Sequence, residues 1–174
     1  MKKTTVREKS SGPKNLHDLL VLKLKSLYDI EQSLIKALPK MAKHSSDPEL
    51  SQGFINHLAE TKNQAKRLEE AFSLLGEKPA KTKVEAIRGL VKDAEWIMKN
   101  IKNREARDAA LIAGASYVEH YEMAGYQNAI GWATELEHTS ISSLLSVSLE
   151  EEIKADQKLA DLAQTTINKR ADPL

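Results

Sequence analysis

Residues 116–122, SYVEHYE, carry two carboxylates, Glu119 and Glu122, within an apolar run that contains no proline. That run, residues 109–130, predicts a helix. Because residues three and four positions apart share a face of a helix, both carboxylates lie among apolar and aromatic neighbours rather than on a solvated face. Burying an ionised carboxylate costs several kcal/mol unless a cation or good hydrogen bonds compensate it. A bound metal ion is the compensation that we expect.

The composition favours a single all-α domain. The 174 residues are enough for one core and include only 7 glycines and 5 prolines. Basic and acidic residues nearly balance, 26 against 25, and no apolar run reaches the ~20 residues of a membrane span, so we expect neither nucleic acid nor a membrane as a partner. No apolar segment follows the basic start, so no signal peptide is predicted. The chain has no cysteine, which suits a reducing compartment, and we expect a cytoplasmic protein.

Apolar residues recur at helical spacing in five segments. The predicted helices span residues 16–43, 48–75, 84–101, 107–133 and 140–167. The third offers no inward acid and is interpreted as a crossover between two hairpins, which predicts an up-down four-helix bundle with an additional crossover helix. We expect residues 15–168 to form this bundle, residues 1–14 to be a disordered basic tail and residues 169–174 to be a frayed end.

Polar residues also fall on the apolar faces of the first two predicted helices. Glu31 lies at the centre of a leucine face, and we interpret it as a metal ligand because buried acids are rare unless paired. His57 lies within the apolar face of the second helix, with Glu60 three residues later on its border. For His57, metal ligation and a hydrogen-bonded position in the core both stay open.

An internal repeat relates the two hairpins. Glu31 and Glu122 are 91 positions apart, and so are Glu60 and Glu151. If the hairpins pair about a pseudo-two-fold axis, one carboxylate from each long helix points towards a common centre. The repeat favours Glu151 as the inward acid of the last helix, whereas the more apolar surroundings favour Glu152, and the choice between them stays open.

The charge of this centre suggests its metal content. Four carboxylates carry the charge that two divalent cations neutralise. Carboxylates suit iron and manganese, and an imidazole adds a nitrogen ligand that iron also accepts. We therefore expect iron or manganese, with up to two ions per chain. The candidate ligands are Glu31, His57, Glu60, Glu119, Glu122, Glu151 and Glu152.

Several short motifs together carry a family resemblance. They are LYDIEQSL at 27–34, HLAET at 57–61, REARDAALI at 104–112, VEHYE at 118–122 and LEEE at 149–152. With them the chain resembles the ferritin-like superfamily and, within it, the bacterial stress-associated YciE/YciF-type family of unknown function. The resemblance implies a rubrerythrin-like bundle, a two-metal centre, a homodimer and a link to bacterial stress responses.

One departure from the ferritin-like pattern concerns histidine. Ferritin-like di-iron proteins place a histidine three residues after a glutamate on two helices. Here Asn63 follows Glu60 at that spacing and Lys154 follows Glu151. His57, three residues before Glu60, is the substitute that the first half offers, and the second half offers none.

Two functions are consistent with these features. In the first, the chain is a ferritin-like metal-binding protein whose carboxylate-bridged di-iron or di-manganese centre reacts with oxygen or peroxide. In the second, it is a non-enzymatic, stress-linked helical interaction module whose metal is structural or vestigial, which the missing second histidine favours. Whether any reaction is catalysed stays open. No glycine-rich phosphate loop or nucleophilic triad points to another chemistry.

Overall fold

The computed structural model describes residues 12–172. Its main helices are α1 (Leu16–His44), α2 (Pro48–Leu74), α3 (Glu85–Asn100), α4 (Arg104–Glu135) and α5 (Thr139–Leu162). A π-helical segment, Ala163–Ile167, and a short helix α6, Asn168–Ala171, continue the last of them. The described residues contain no strand, and the predicted all-α class is confirmed.

Polar caps fix where the long helices begin. The Asn15 side chain accepts from the backbone N–H of Asp18 at 2.8 Å at the start of α1. Asp47 caps α2 and is followed by Pro48 at the first helical position, where a missing N–H is harmless. Asn103 caps α4. Because of that cap, α4 begins three residues earlier than predicted.

The four long helices form two antiparallel hairpins. α1 pairs with α2 and α4 with α5, and the hairpins pack α1 against α4 and α2 against α5. The Asp108 carboxylate accepts from the backbone N–H groups of Ser46 (2.9 Å) and Asp47 (2.8 Å), which joins the end of α1 to the start of α4. Arg170 donates to Asp47 at 2.6 Å, which joins the start of α2 to α6. All neighbouring long helices are therefore antiparallel, and the predicted up-down bundle is confirmed.

The third helix lies outside the four-helix core, along α1 and α4. The backbone N–H of Val84 donates to Asp29 at 3.1 Å near its start, and Lys40 contacts Glu95 at 3.0 Å near its end. These two contacts align α3 parallel to α1. The helix thus carries the chain back along the bundle before α4 begins, as a crossover helix must.

The two ends of the chain lie only partly within the described residues. Most of the predicted basic tail, residues 1–11, lies outside the described residues, and residues 12–14 have no regular structure. Of the predicted frayed end, residues 169–171 belong to α6, and residues 173–174 lie outside the described part. Within residues 12–172, no helix is both long and apolar enough to cross a membrane.

Candidate metal centre

Four buried side chains converge in the middle of the bundle. They are His57 on α2, Glu119 and Glu122 on α4, and Glu152 on α5. One ligand atom from each residue lies within 4.8 Å of all the others. Ligands on opposite sides of an ion with bonds of about 2.1 Å are about 4.2 Å apart, so this spacing is close to that of a single metal site.

Helix periodicity places these carboxylates inward. Glu119 and Glu122 are three residues apart and share the buried stripe of α4. Glu152 shares the buried stripe of α5 with Ser148, one turn earlier, and Ala155, one turn later. Each helix packs its buried stripe against the core, and this packing also directs the carboxylates of that stripe inward.

His57 lies between the buried carboxylates of the cluster and Glu60. Its Nε2 atom lies 3.4 Å from Oε1 of Glu119 and 3.8 Å from Oε2 of Glu152. Its Nδ1 atom lies 3.4 Å from Oε2 of Glu60. One nitrogen thus faces the buried carboxylates, and the other faces a carboxylate whose side chain is 33% exposed.

Several polar atoms at the centre lack a hydrogen-bond partner within the described residues. Both carboxylate oxygens of Glu122 do so, as do Oε2 of Glu119, Oε2 of Glu152 and Nε2 of His57. A buried polar atom without a partner costs about 1–3 kcal/mol, and a charged one costs more. A cation among these atoms would satisfy them together. Carboxylate oxygens with one imidazole nitrogen are a suitable donor set for a divalent transition metal, so the residues present fit such an ion.

The carboxylates have strongly perturbed proton affinities. Burial raises the pKa of Glu122 well above its ordinary value, and repulsion from Glu31 raises it further. Burial, then repulsion from Glu152, raises the pKa of Glu119 in the same way. Burial also raises the pKa of Glu152, although His57 opposes the shift. Carboxylates that hold protons without metal must release them when a metal binds, so metal affinity should rise with pH.

Glu31 lies in the same buried region but outside the four-residue cluster. It is fully buried on α1 and accepts a hydrogen bond from the hydroxyl of Tyr126 through Oε1. Its Oε2 atom has no partner within the described residues. Burial, followed by repulsion from Glu152, raises its pKa well above the ordinary value. Glu31 is therefore a fifth buried side chain that could bind metal, although it lies outside the four-residue cluster.

The structure separates the two acids of α5 between which the sequence could not choose. Arg67 holds Glu151 through two parallel hydrogen bonds of 2.7 Å, and Glu151 is not among the four clustered residues. Glu152 is fully buried and points inward. The 91-residue repeat therefore relates Glu31 to Glu122, but it does not relate Glu60 to the inward acid of α5.

Two predicted site residues lie at or beyond the edge of the cluster, and one supporting residue was missed. Glu60 is partly exposed, and a hydrogen bond with His57 is the main cause of its lowered pKa. Glu151 faces Arg67 instead. Gln64 was not singled out, yet it is fully buried and donates through Nε2 to Glu152. The available signal was its position seven residues after His57, on the same helix face.

Fold and site together define a class, the all-α bundle proteins with a buried cluster of carboxylates and one histidine. A family model described as "Domain of unknown function (DUF892)" matches residues 15–172. This chain therefore belongs to the DUF892 family. Protein YciF of Escherichia coli (strain K12) is 38% identical to it over 160 residues, which cover 91% of this chain and 96% of that protein. The predicted YciE/YciF-type resemblance is confirmed.

Solved structures agree with this assignment. The E. coli stress protein YciF has a TM-score of 0.86 at 37% identity, covering 90% of this chain and 99% of that one. YcfI from Rhodopseudomonas palustris has a TM-score of 0.84 at 42% identity, covering 87% of this chain and 96% of that one. A protein from Xanthomonas campestris pv. campestris has a TM-score of 0.71 at 17% identity, covering 90% and 96%, and shows a shared fold alone.

Proposed function

We propose that this chain is a metal-binding bundle protein whose centre is formed by His57, Glu119, Glu122 and Glu152. The observation that carries the proposal is the convergence of their buried, unpartnered atoms. Glu31 supplies a further carboxylate, so that the centre accommodates up to two ions. Iron or manganese suits a donor set with more oxygen than nitrogen.

A redox-active ion held here would supply electron transfer to a small oxidant, oxygen or peroxide. The protein's own part is to hold the ligands and keep bulk water away. Tyr126 and Gln64 orient Glu31 and Glu152 by hydrogen bonds. Such supporting hydrogen bonds fix the position and basicity of metal ligands. Since the relative YciF is described as a stress protein, we extend the proposal to a role in bacterial stress, carried out by a homodimer.

The redox part of the proposal is tested with ferrous ion. The anaerobically loaded protein is mixed with oxygen or hydrogen peroxide, and the ferric absorbance is followed over time. We expect oxidation faster than for free ferrous ion, and a return to the free rate in Glu122→Gln. An exposed acid on α5 provides the control, and Glu150→Gln should behave like wild type. Wild-type rates equal to those of the free ion would remove the redox function.

A second candidate, the interaction module with a structural metal, is favoured by the single histidine of the cluster. Ferritin-like di-iron centres draw a histidine from each of two helices, whereas α5 contributes only an acid here. In this case metal should raise the unfolding temperature without accelerating any oxidation. Thermal unfolding with and without a chelator separates the two candidates when it is combined with the oxidation assay.

A further inference from the structure

A pocket of about 230 Å³ lies between α2 and α5 and reaches the candidate metal centre. Hydrogen bonds join the two helical segments on either side of it. Gln64 donates to Glu152 on one side, and Arg170 donates to Asp47 at 2.6 Å on the other. Between these two links, the pocket lining includes Gly53, which has no side chain to fill the gap.

The walls of the pocket are largely apolar. The larger apolar residues that line it are Leu50, Phe54, Leu159 and Leu162. The π-helical segment begins directly after Leu162, and such segments are frequent at functional sites. A dry apolar cavity of about 150 Å³ is enough to bind benzene. This pocket therefore has room for an aromatic ring or a short branched alkyl group.

The end of the pocket nearest the candidate metal centre is polar. His57, Glu60 and Glu119 all contribute to its lining, and the Nδ1 edge of His57 faces Glu60. Carboxylate oxygens accept hydrogen bonds, so they match a ligand head that donates one. A carboxylate head would meet like charge there. Lys158 also lines the pocket, but it is exposed, and its charge already acts on Glu60, whose pKa it helps to lower.

We propose that this pocket binds a small neutral organic molecule with an apolar body and an O–H head, an alcohol or an organic hydroperoxide, whose head donates to Glu60. The assignment of this molecule as a substrate rests on the proposed function, because the pocket would bring its head beside the metal ligand His57. Binding itself depends only on the pocket, so the two proposals can fail separately.

Three probes with one ring and different heads test the chemistry. Benzyl alcohol, toluene and benzoate are titrated by calorimetry and by amide NMR into metal-free and metal-loaded protein. We expect benzyl alcohol to bind about tenfold more tightly than toluene, as one hydrogen bond to a carboxylate allows, and benzoate to bind most weakly. The preference for alcohol over toluene should vanish in Glu60→Ala. Tighter binding of benzoate would overturn the proposal.

A matched pair of glycine variants locates the binding. A Cβ atom added at Gly53 or at Gly131 meets nothing within 4 Å, so both positions accept a side chain. Gly53→Leu should abolish binding of benzyl alcohol and leave metal content unchanged, whereas Gly131→Leu should alter neither. An unchanged affinity of Gly53→Leu for benzyl alcohol would overturn the pocket. So would the absence of saturable benzyl alcohol binding by metal-loaded wild-type protein. If the wild-type protein binds benzyl alcohol but cannot be loaded with metal, the pocket is supported and the proposed function is not.

A second pair of probes tests whether the O–H head belongs to an alcohol or to an organic hydroperoxide. Cumene hydroperoxide and 2-phenyl-2-propanol share an apolar body and differ by one oxygen atom. They are titrated in competition with benzyl alcohol. Tighter binding of the hydroperoxide supports an organic oxidant, and equal or tighter binding of the alcohol supports an alcohol. Failure of the hydroperoxide to displace benzyl alcohol would overturn the organic oxidant.

Discussion

At Glu122, both carboxylate oxygens are buried without a hydrogen-bond partner in the described part of the chain. This side chain illustrates how the centre opposes folding in the absence of metal. Burial and neighbouring carboxylates raise its pKa well above the ordinary value of 4.5. A group whose pKa is raised by folding stabilises the fold at pH values below its unfolded pKa. That stabilisation is lost as the pH rises towards the folded pKa.

The first prediction concerns this residue in metal-free protein. Glu122→Gln removes the ionisation, so at pH 8 the variant should be more stable than wild type, whose buried carboxyl is then driven to ionise. The difference should shrink as the pH falls towards 4.5, the ordinary value. Urea unfolding with a chelator at several pH values measures it. Parallel pH profiles for the two proteins would contradict the shifted pKa.

The second prediction compares the adjacent acids of α5. Glu152→Gln should lower metal affinity strongly, whereas Glu151→Gln should leave it near the wild-type value. Glu151→Gln should instead cost about 1–2 kcal/mol of stability, because it leaves the half-buried Arg67 without its bidentate partner. Metal titration and urea unfolding of both variants provide the measurements. Equal loss of metal in the two variants would show that Glu151 also points inward.

At the scale of the helices, polar caps and close contacts fix the packing. The buried Asp108 of α4 accepts hydrogen bonds from the backbone N–H groups of Ser46 and Asp47, in the turn between α1 and α2. On the same helix, Gly125 lies so close to α1 that an added Cβ atom would lie 2.9 Å from Cδ2 of Leu27. The hairpins are therefore joined by a hydrogen-bonded corner and by a close helix contact.

The third prediction tests the corner. Asp108→Ala leaves two backbone donors without their acceptor and should cost about 2–4 kcal/mol in the free energy of unfolding. Glu105→Ala, an exposed change one turn earlier on α4, is the control and should cost less than about 1 kcal/mol. Urea unfolding of the chelated proteins compares them. Similar losses in the two variants would show that the corner adds little to stability.

The fourth prediction uses two glycines of α4. Gly131→Ala should stabilise the protein by about 0.5–1 kcal/mol, because the position is exposed, helical and open. Gly125→Ala should instead destabilise it, since overpacking against Leu27 typically costs about 1–3 kcal/mol and exceeds the gain in helix propensity. Thermal unfolding measures both. Stabilisation by Gly125→Ala would show that the Leu27 side chain can move aside without loss.

At the scale of the whole molecule, sequence periodicity predicted the bundle because each helix buries one continuous apolar stripe. It also placed Glu31 and Glu122 inside, since each lies at the centre of such a stripe. Periodicity could not choose between Glu151 and Glu152, which are only ~100° apart on their helix. Contacts from α2 make that choice, because Arg67 holds one acid and Gln64 holds the other.

The proposed metal centre depends on the whole bundle, since the cluster joins three helices and exists only when the two hairpins pack together. Equilibrium dialysis of chelator-treated protein against ferrous or manganous ion, under anaerobic conditions, tests whether this centre binds metal. We expect one or two ions per chain, lost in Glu122→Gln and retained in Glu150→Gln. No bound ion in the folded wild-type protein, or equal binding by wild type and Glu122→Gln, would contradict the metal centre.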